Sequence, residues 1–309
     1  MTAQQSRPKV EVTPDTLDLG QKSCRSTVKR ALAEYRWITR NIPGEQQKAL
    51  NALLGFVIQS TDYLDLESPN GLSLDVWCEL RDDLSEAFQD SYSSEELYAL
   101  VAGVRKYDVP RQYLFDLLDG IDLWIRNRSF ETYDDAEVFA YRMGGAPLAA
   151  AVPILGFIKP GYEEPAIQAG KAVFLTNAVA NVVQDVKLNK CFLARQDLEE
   201  TEVDLARLKV RKTSPGLKHL VRLYGSRIEK LMYEGGKLAS HLDFDARRSF
   251  VSLLALNWRM LTKMRKDPES VLDQDGVLSR REKFGLKTRH LMGMEGHIPV
   301  IPEDDGHHH

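Results

Sequence analysis

The sequence has little of what marks most protein classes. Three cysteines in 309 residues, Cys24, Cys78 and Cys191, form no CxxC pair and leave an odd count. A disulfide framework and a structural zinc site are therefore not expected, and a reducing compartment, the cytoplasm, is the expected location. No uninterrupted apolar run approaches the roughly 20 residues of a transmembrane segment. The N-terminal MTAQQSRPKVEVTPDT lacks the apolar stretch of a secretory signal. Positive charge is not in excess: the formal charge is −4 and no long basic run occurs, which argues against a nucleic-acid partner. GxSxG, HExxH, P-loop and GxGxxG motifs are missing, and Gly144-Gly145 fits no phosphate loop. His219, His241, His290 and His297 show no ligand spacing, and His307, His308 and His309 read as a purification-tag remnant.

Alternating strands are missing too, and no solenoid repeat is seen. What is present is helical periodicity with turn signals between the segments. Expected helices cover 23–40, 45–65, 71–88, 94–105, 110–127, 133–156, 163–188, 195–207, 214–240, 243–265 and 277–291. The first is followed by the break Asn41-Ile42-Pro43-Gly44, and 133–156 is interrupted at Gly144, Gly145, Pro147 and Pro153. The expected architecture is all-α, a single-domain helical bundle over 23–292. Residues 1–22 form a poorly ordered arm and 293–309 a tail in this reading.

Two polar clusters stand on otherwise apolar helices. In KAVFLTNAVANVVQDVKLNK, residues 171–190, Asn177, Asn181 and Asp185 recur every fourth residue and so share one helical face. Burying an unpaired amide costs about 1–3 kcal/mol and a carboxylate more, so the three need water, a metal or another polar helix. A buried hydrogen-bond network is one solution; a ligand site is the other, and Lys190 adds a cation suited to phosphate. In QSTDYLDLES, residues 59–68, Asp62 and Asp65 lie three apart with Thr61 beside them. A solvated helix end explains this pattern, and so does a Mg²⁺ site completed by water and phosphate oxygens. Arg280, Arg281, Lys283, Lys287 and Arg289 form a solvated basic face or, alternatively, screen a bound diphosphate. Together the two clusters suggest a polar-lipped pocket inside a bundle with a central apolar cavity.

The order of these segments resembles the squalene/phytoene synthase family of isoprenyl transferases over about residues 23–290. The resemblance rests on Ile42-Pro43 followed by IQSTDYLD (58–65), LLDGIDLWIRNRSFETYDDAEVFAYRMGGA (117–146), LTNAVANVVQDVKLNKCF (175–192) and DFDARRSFVSLLALNWRML (243–261). It implies an isoprenoid-synthase-type fold, with prenyl diphosphate held through Mg²⁺ by two acidic motifs. Asp62 and Asp65 would belong to the first motif and Asn181 and Asp185 to the second, with Asn177 and Lys190 contacting substrate. Several positions depart from the family pattern. Thr61 and Asn181 replace the leading aspartates, Ile58 and Ala180 replace arginines, and Phe174 stands where glutamine is usual.

Fewer ligands and cations imply a site for one diphosphate, leaving room for a neutral acceptor. These degenerate motifs resemble those of bacterial enzymes that prenylate carbazole-type aromatic natural products. The expected reaction is therefore transfer of an allylic group, dimethylallyl from its diphosphate, to a carbon of an aromatic acceptor. Phe174 and Tyr141 would steady the allylic cation. Head-to-head coupling of two prenyl diphosphates, or terpene cyclisation, is the second reading. A non-catalytic binding or assembly protein is the third.

Overall fold

The computed structural model describes residues 9–33, 36–64, 74–127, 129–274 and 276–292. Among them no β-strand forms beyond two isolated bridges, Phe130 with Ala194 and Phe157 with Leu242. Helices are α1 (Thr16–Ala31), α2 (Gly44–Thr61), α3 (Leu74–Ala87), α4 (Glu95–Lys106), α5 (Gln112–Asn127), α6 (Tyr133–Ala140), α7 (Ala146–Leu155) and α8 (Glu163–Ala180). They continue as α9 (Val182–Lys187), α10 (Arg195–Glu200), α11 (Leu205–Lys209), α12 (Leu217–Gly236), α13 (Phe244–Lys266) and α14 (Arg280–Leu291). The bundle architecture expected from periodicity is thus the observed one.

α1 is displaced from its expected place. It starts at Thr16, inside the stretch expected as an arm, and stops at Ala31, with turns from 36 to 42. Its buried face is Thr16, Gly20, Cys24 and Val28, a stripe of small residues that packs on α2 and α4. Such a stripe carries little hydropathy, so the sequence gives little sign of a helix beginning at Thr16. Residues 1–8 and the expected tail 293–309 lie outside the described residues.

α8 runs through the middle of the bundle and packs on α6, α7, α12 and α13. Its partner across the core, the 133–155 stretch, changes register through a π-turn at Tyr141–Gly145, where a break was expected. Gly144 is required there: a Cβ on it would collide with the carbonyl of Gly170 on α8. The same stretch, Tyr133–Leu155, is long and apolar enough to cross a membrane, yet 67% of its most apolar window is buried within the fold. Its hydropathy is that of a core helix. Side-chain caps close other helices, Ser94 on the Leu97 N–H and Asp243 on the Ala246 N–H at 2.9 Å.

Candidate functional site

α8 does not continue to 188. It ends at Ala180, and Asn181 adopts φ −102°, ψ 8° between α8 and α9. The Asn181 N–H still donates to the Asn177 carbonyl at 2.8 Å, and the Asp185 N–H to the Asn181 carbonyl at 2.9 Å. The four-residue backbone spacing thus survives across the junction, while burial differs along it. Asn181 is exposed, whereas Asn177 and Asp185 are half-buried. Asparagine favours such a junction because its helix propensity is low and its side chain competes with helical hydrogen bonds.

Asn177 is committed to a network. Its Nδ2 donates to the Val173 carbonyl at 2.8 Å and to Oδ1 of Asn257 on α13 at 3.3 Å. Nδ2 of Asn257 donates in turn to the Leu253 carbonyl at 2.9 Å. Asp185 is in a different condition. Burial pushes its carboxyl up to about 7, with the charge of Lys190 pulling the other way. Asn189, at φ 55°, turns the chain so that the Lys190 N–H donates to the Asp185 carbonyl at 2.8 Å. Asparagine tolerates this left-handed conformation. Lys190 is itself buried, at 9% exposure.

The first polar segment closes α2. Ile58 and Thr61 are half-buried, and Thr61 Oγ1 donates back to the Ile58 carbonyl at 2.9 Å. Asp62 opens the short 3₁₀ turn Asp62–Leu64 and is exposed. Asp65 lies outside the described residues. Lys287 sits on the exposed side of α14.

A cavity of about 340 Å³ opens between α2, α7, α8 and α13. Leu54, Leu148, Val152, Val173, Leu253 and Met260 are typical of its walls, and Asn177 and Asn257 are the amides among its lining residues. Of the residues singled out from the sequence, the wall contains Asn177. Phe174 instead enters an aromatic cluster, its ring 5.4 Å from Phe139 and 5.9 Å from Phe192. Tyr141 Oη donates to Asp116 Oδ2 at 2.5 Å, and burial raises its phenol pKa. Neither aromatic residue borders this cavity. Asn257 was missed from sequence. Its signal was the single amide in LLALNWRML, on a helix otherwise read by its apolar stripe.

Among the described residues, no three His, Cys, Asp or Glu side chains cluster as a metal site. Mg²⁺ needs fewer protein ligands than that, since one or two carboxylates suffice when water and phosphate oxygens complete the shell. Asp185 fits such a role. Its carboxyl is desolvated and raised in pKa, a condition that a neighbouring cation relieves. Asp62 is the other described carboxylate that would contribute.

The chain has extensive relatives. It is 24% identical over 293 residues to a phytoene synthase of Mycobacterium tuberculosis, covering 92% of this chain and 95% of that one. It is 22% identical to a phytoene synthase of Arthrospira platensis, with 88% and 92% covered. Its fold superposes on a dehydrosqualene synthase crystallised with ligand at a TM-score of 0.79, with 19% identity over 90% of this chain and 97% of that one. A squalene synthase from Alicyclobacillus acidocaldarius gives 0.73, with 17% identity over 82% and 96%. The family model for squalene/phytoene synthase matches residues 28–282, most of the domain, and on that match the chain belongs to the squalene/phytoene synthase family.

Proposed function

We propose that this chain is a prenyltransferase that binds the hydrocarbon chain of a prenyl diphosphate in the α2–α7–α8–α13 cavity. One observation carries the reading. The apolar cavity is bordered by Asn177 on α8, and the chain runs on from α8 into α9 and its turn, which carry a desolvated carboxylate and a buried lysine. Mg²⁺ at Asp62 and Asp185 would supply electrostatic stabilisation of the departing diphosphate. Lys190 adds fixed positive charge, and the leucine-rich walls exclude water from an allylic cation.

The named relatives favour a second prenyl diphosphate as acceptor, joined head to head. A specific observation favours another acceptor: Ile58, Thr61, Ala180 and Asn181 leave both motifs short of charge, which suits one diphosphate and a neutral aromatic, carbazole-like molecule. The test incubates the protein and Mg²⁺ with geranyl, farnesyl or geranylgeranyl diphosphate, alone and with electron-rich aromatics, and identifies products by mass spectrometry. A coupled hydrocarbon from diphosphate alone is the expected result. A prenylated aromatic in its place establishes the second reading. If neither product forms and no diphosphate raises Tm, prenyl transfer is overturned and a binding or assembly role is left.

A further inference from the structure

A surface helix ordinarily turns its apolar residues to the core and its polar ones to water. α14 carries apolar side chains on both of its sides. Leu286 packs inward on the cluster of Trp37, Ile38, Leu256 and Leu278, and His290 pairs inward with Asn41 and Ser252. Ile38 and Leu256 also line the cavity, so α14 backs the cavity wall. Phe284, 68% exposed, and Leu291, 42% exposed, lie seven residues apart and share the opposite, solvent face.

Cations surround this outward pair. Arg280 and Arg281 precede Phe284 by four and three residues and Lys287 follows it by three, so all three share its face, and all are exposed. The helix holds five Lys and Arg against one acid, in a chain of formal charge −4. That acid, Glu282, is engaged elsewhere. It pairs with Lys263 at 3.0 Å and Arg259 at 3.4 Å on α13, and it accepts from the Ser279 N–H at 3.0 Å. At the C-terminal end of the helix, Met292 is again 68% exposed. Arg248 donates there to the His290 carbonyl at 2.9 Å, and its guanidinium lies 5.8 Å from the ring of exposed Phe244. The exposed apolar face therefore runs from Phe284 to Met292 and on towards Phe244.

We propose that this face of α14 docks the protein on an anionic lipid bilayer, with Phe284 and Leu291 in the interfacial layer and Arg280, Arg281 and Lys287 against the lipid phosphates. The two parts of the face answer two parts of a bilayer surface: apolar side chains insert, and cations are drawn to anionic headgroups. A nucleic acid or free phosphate would satisfy the cations and leave Phe284 in water. A second copy of the chain, packed face to face about a two-fold axis, would bring like charges together. Because α14 backs the cavity wall, docking turns the cavity towards the bilayer, the phase in which an apolar ligand dissolves. The inference goes beyond the proposed reaction and does not rest on it.

The test is co-sedimentation of the full chain with vesicles, without Mg²⁺ or any prenyl diphosphate, so its result is separable from that of the transfer assay. The vesicles are phosphatidylcholine alone, or phosphatidylcholine with about one-third phosphatidylglycerol. The parent is expected to partition about tenfold or more in favour of the anionic vesicles, and added salt should release it. Phe284→Ser should weaken that partitioning about tenfold, the effect of withdrawing one large apolar side chain. Lys287→Glu should weaken it by about tenfold as well. Lys230→Glu, the same charge change at an exposed position on α12, should leave it nearly unchanged. No partitioning of the parent onto anionic vesicles overturns the inference, as does partitioning that Phe284→Ser does not alter. Equal losses in Lys287→Glu and Lys230→Glu would also overturn it, since the attraction would then belong to the whole chain. A dimer in solution that Phe284→Ser dissociates, with no vesicle binding, would give the face to a second copy instead.

Discussion

The two polar segments singled out from the sequence differ in how their carboxylates meet solvent. Asp62, at the end of α2, is exposed. Asp185, on α9, is held where burial raises its carboxyl to about 7. An exposed acid is solvated by water and gains little from a cation. A desolvated acid is unfavourable in its ionised form until a cation arrives, so the free energy of burial is returned on binding. The α9 segment is therefore expected to dominate cation and diphosphate binding, although both segments carry acids at motif spacing.

The largest effect that would break this comparison is kinetic. Asp185→Ala is expected to lower prenyl-transfer turnover by about 100-fold or more, on the scale of losing one preorganised electrostatic group. Asp62→Ala should cost about tenfold or less. Steady-state rates at saturating Mg²⁺ decide it, and a larger loss in Asp62→Ala would reverse the assignment.

A smaller effect concerns stability without ligand. A raised carboxyl binds its proton more tightly in the folded chain than in the unfolded one. Stability is therefore lost as pH rises from the ordinary carboxylate range, about 4, through about 7. Asp185→Asn removes this loss. It should exceed the parent by about 1–3 kcal/mol at pH 8 and match it near pH 4, in urea melts without Mg²⁺. A stability of Asp185→Asn equal to the parent's at pH 8 would contradict it.

The smallest effect has the opposite sign and lies on α14. His290 on α14 is buried. Its Nε2 is 3.1 Å from Asn41 Nδ2 and its Nδ1 2.6 Å from Ser252 Oγ, so the neutral ring accepts from Asn41 and donates to Ser252. Burial, then the charge of Arg248, lowers its pKa. This group's stability is present above the unfolded value, about 6.5, and lost as pH falls through the folded one. Tm is expected to drop by a few degrees between pH 7 and pH 5, and His290→Gln should flatten that slope. A Tm that rises on acidification in this range, with Asp185→Asn as background, would contradict it.

Much of the fold was legible in the sequence because its signals are local. The expected starts at 94 and 243 fall on the observed caps Ser94 and Asp243, and Gly144-Gly145, where a break was expected, marks the register change of 133–155. α1 was misplaced because small residues bury well without registering as hydrophobic. The site was legible to a lesser extent. Asn177 could be singled out as an amide on an apolar helix, but its pairing with Asn257, 80 residues away, is not a property of any local window. Asn181 read as part of the same ladder, and only the structure shows it exposed where Asn177 and Asp185 are half-buried. Phe174 and Tyr141 were aromatic in the right segments, yet their rings and hydroxyl are occupied by Phe139, Phe192 and Asp116.

By itself the sequence determined the helical class, the order of the segments and which residue types lie at which spacing, because periodicity and capping act over a few residues. Only the tertiary structure decided that Asn177 meets Asn257, that Asp185 is desolvated while Asp62 is not, and that an apolar cavity lies against α8. Burial and pairing depend on which distant segments pack together, and desolvation is a property of that packing rather than of any stretch of chain.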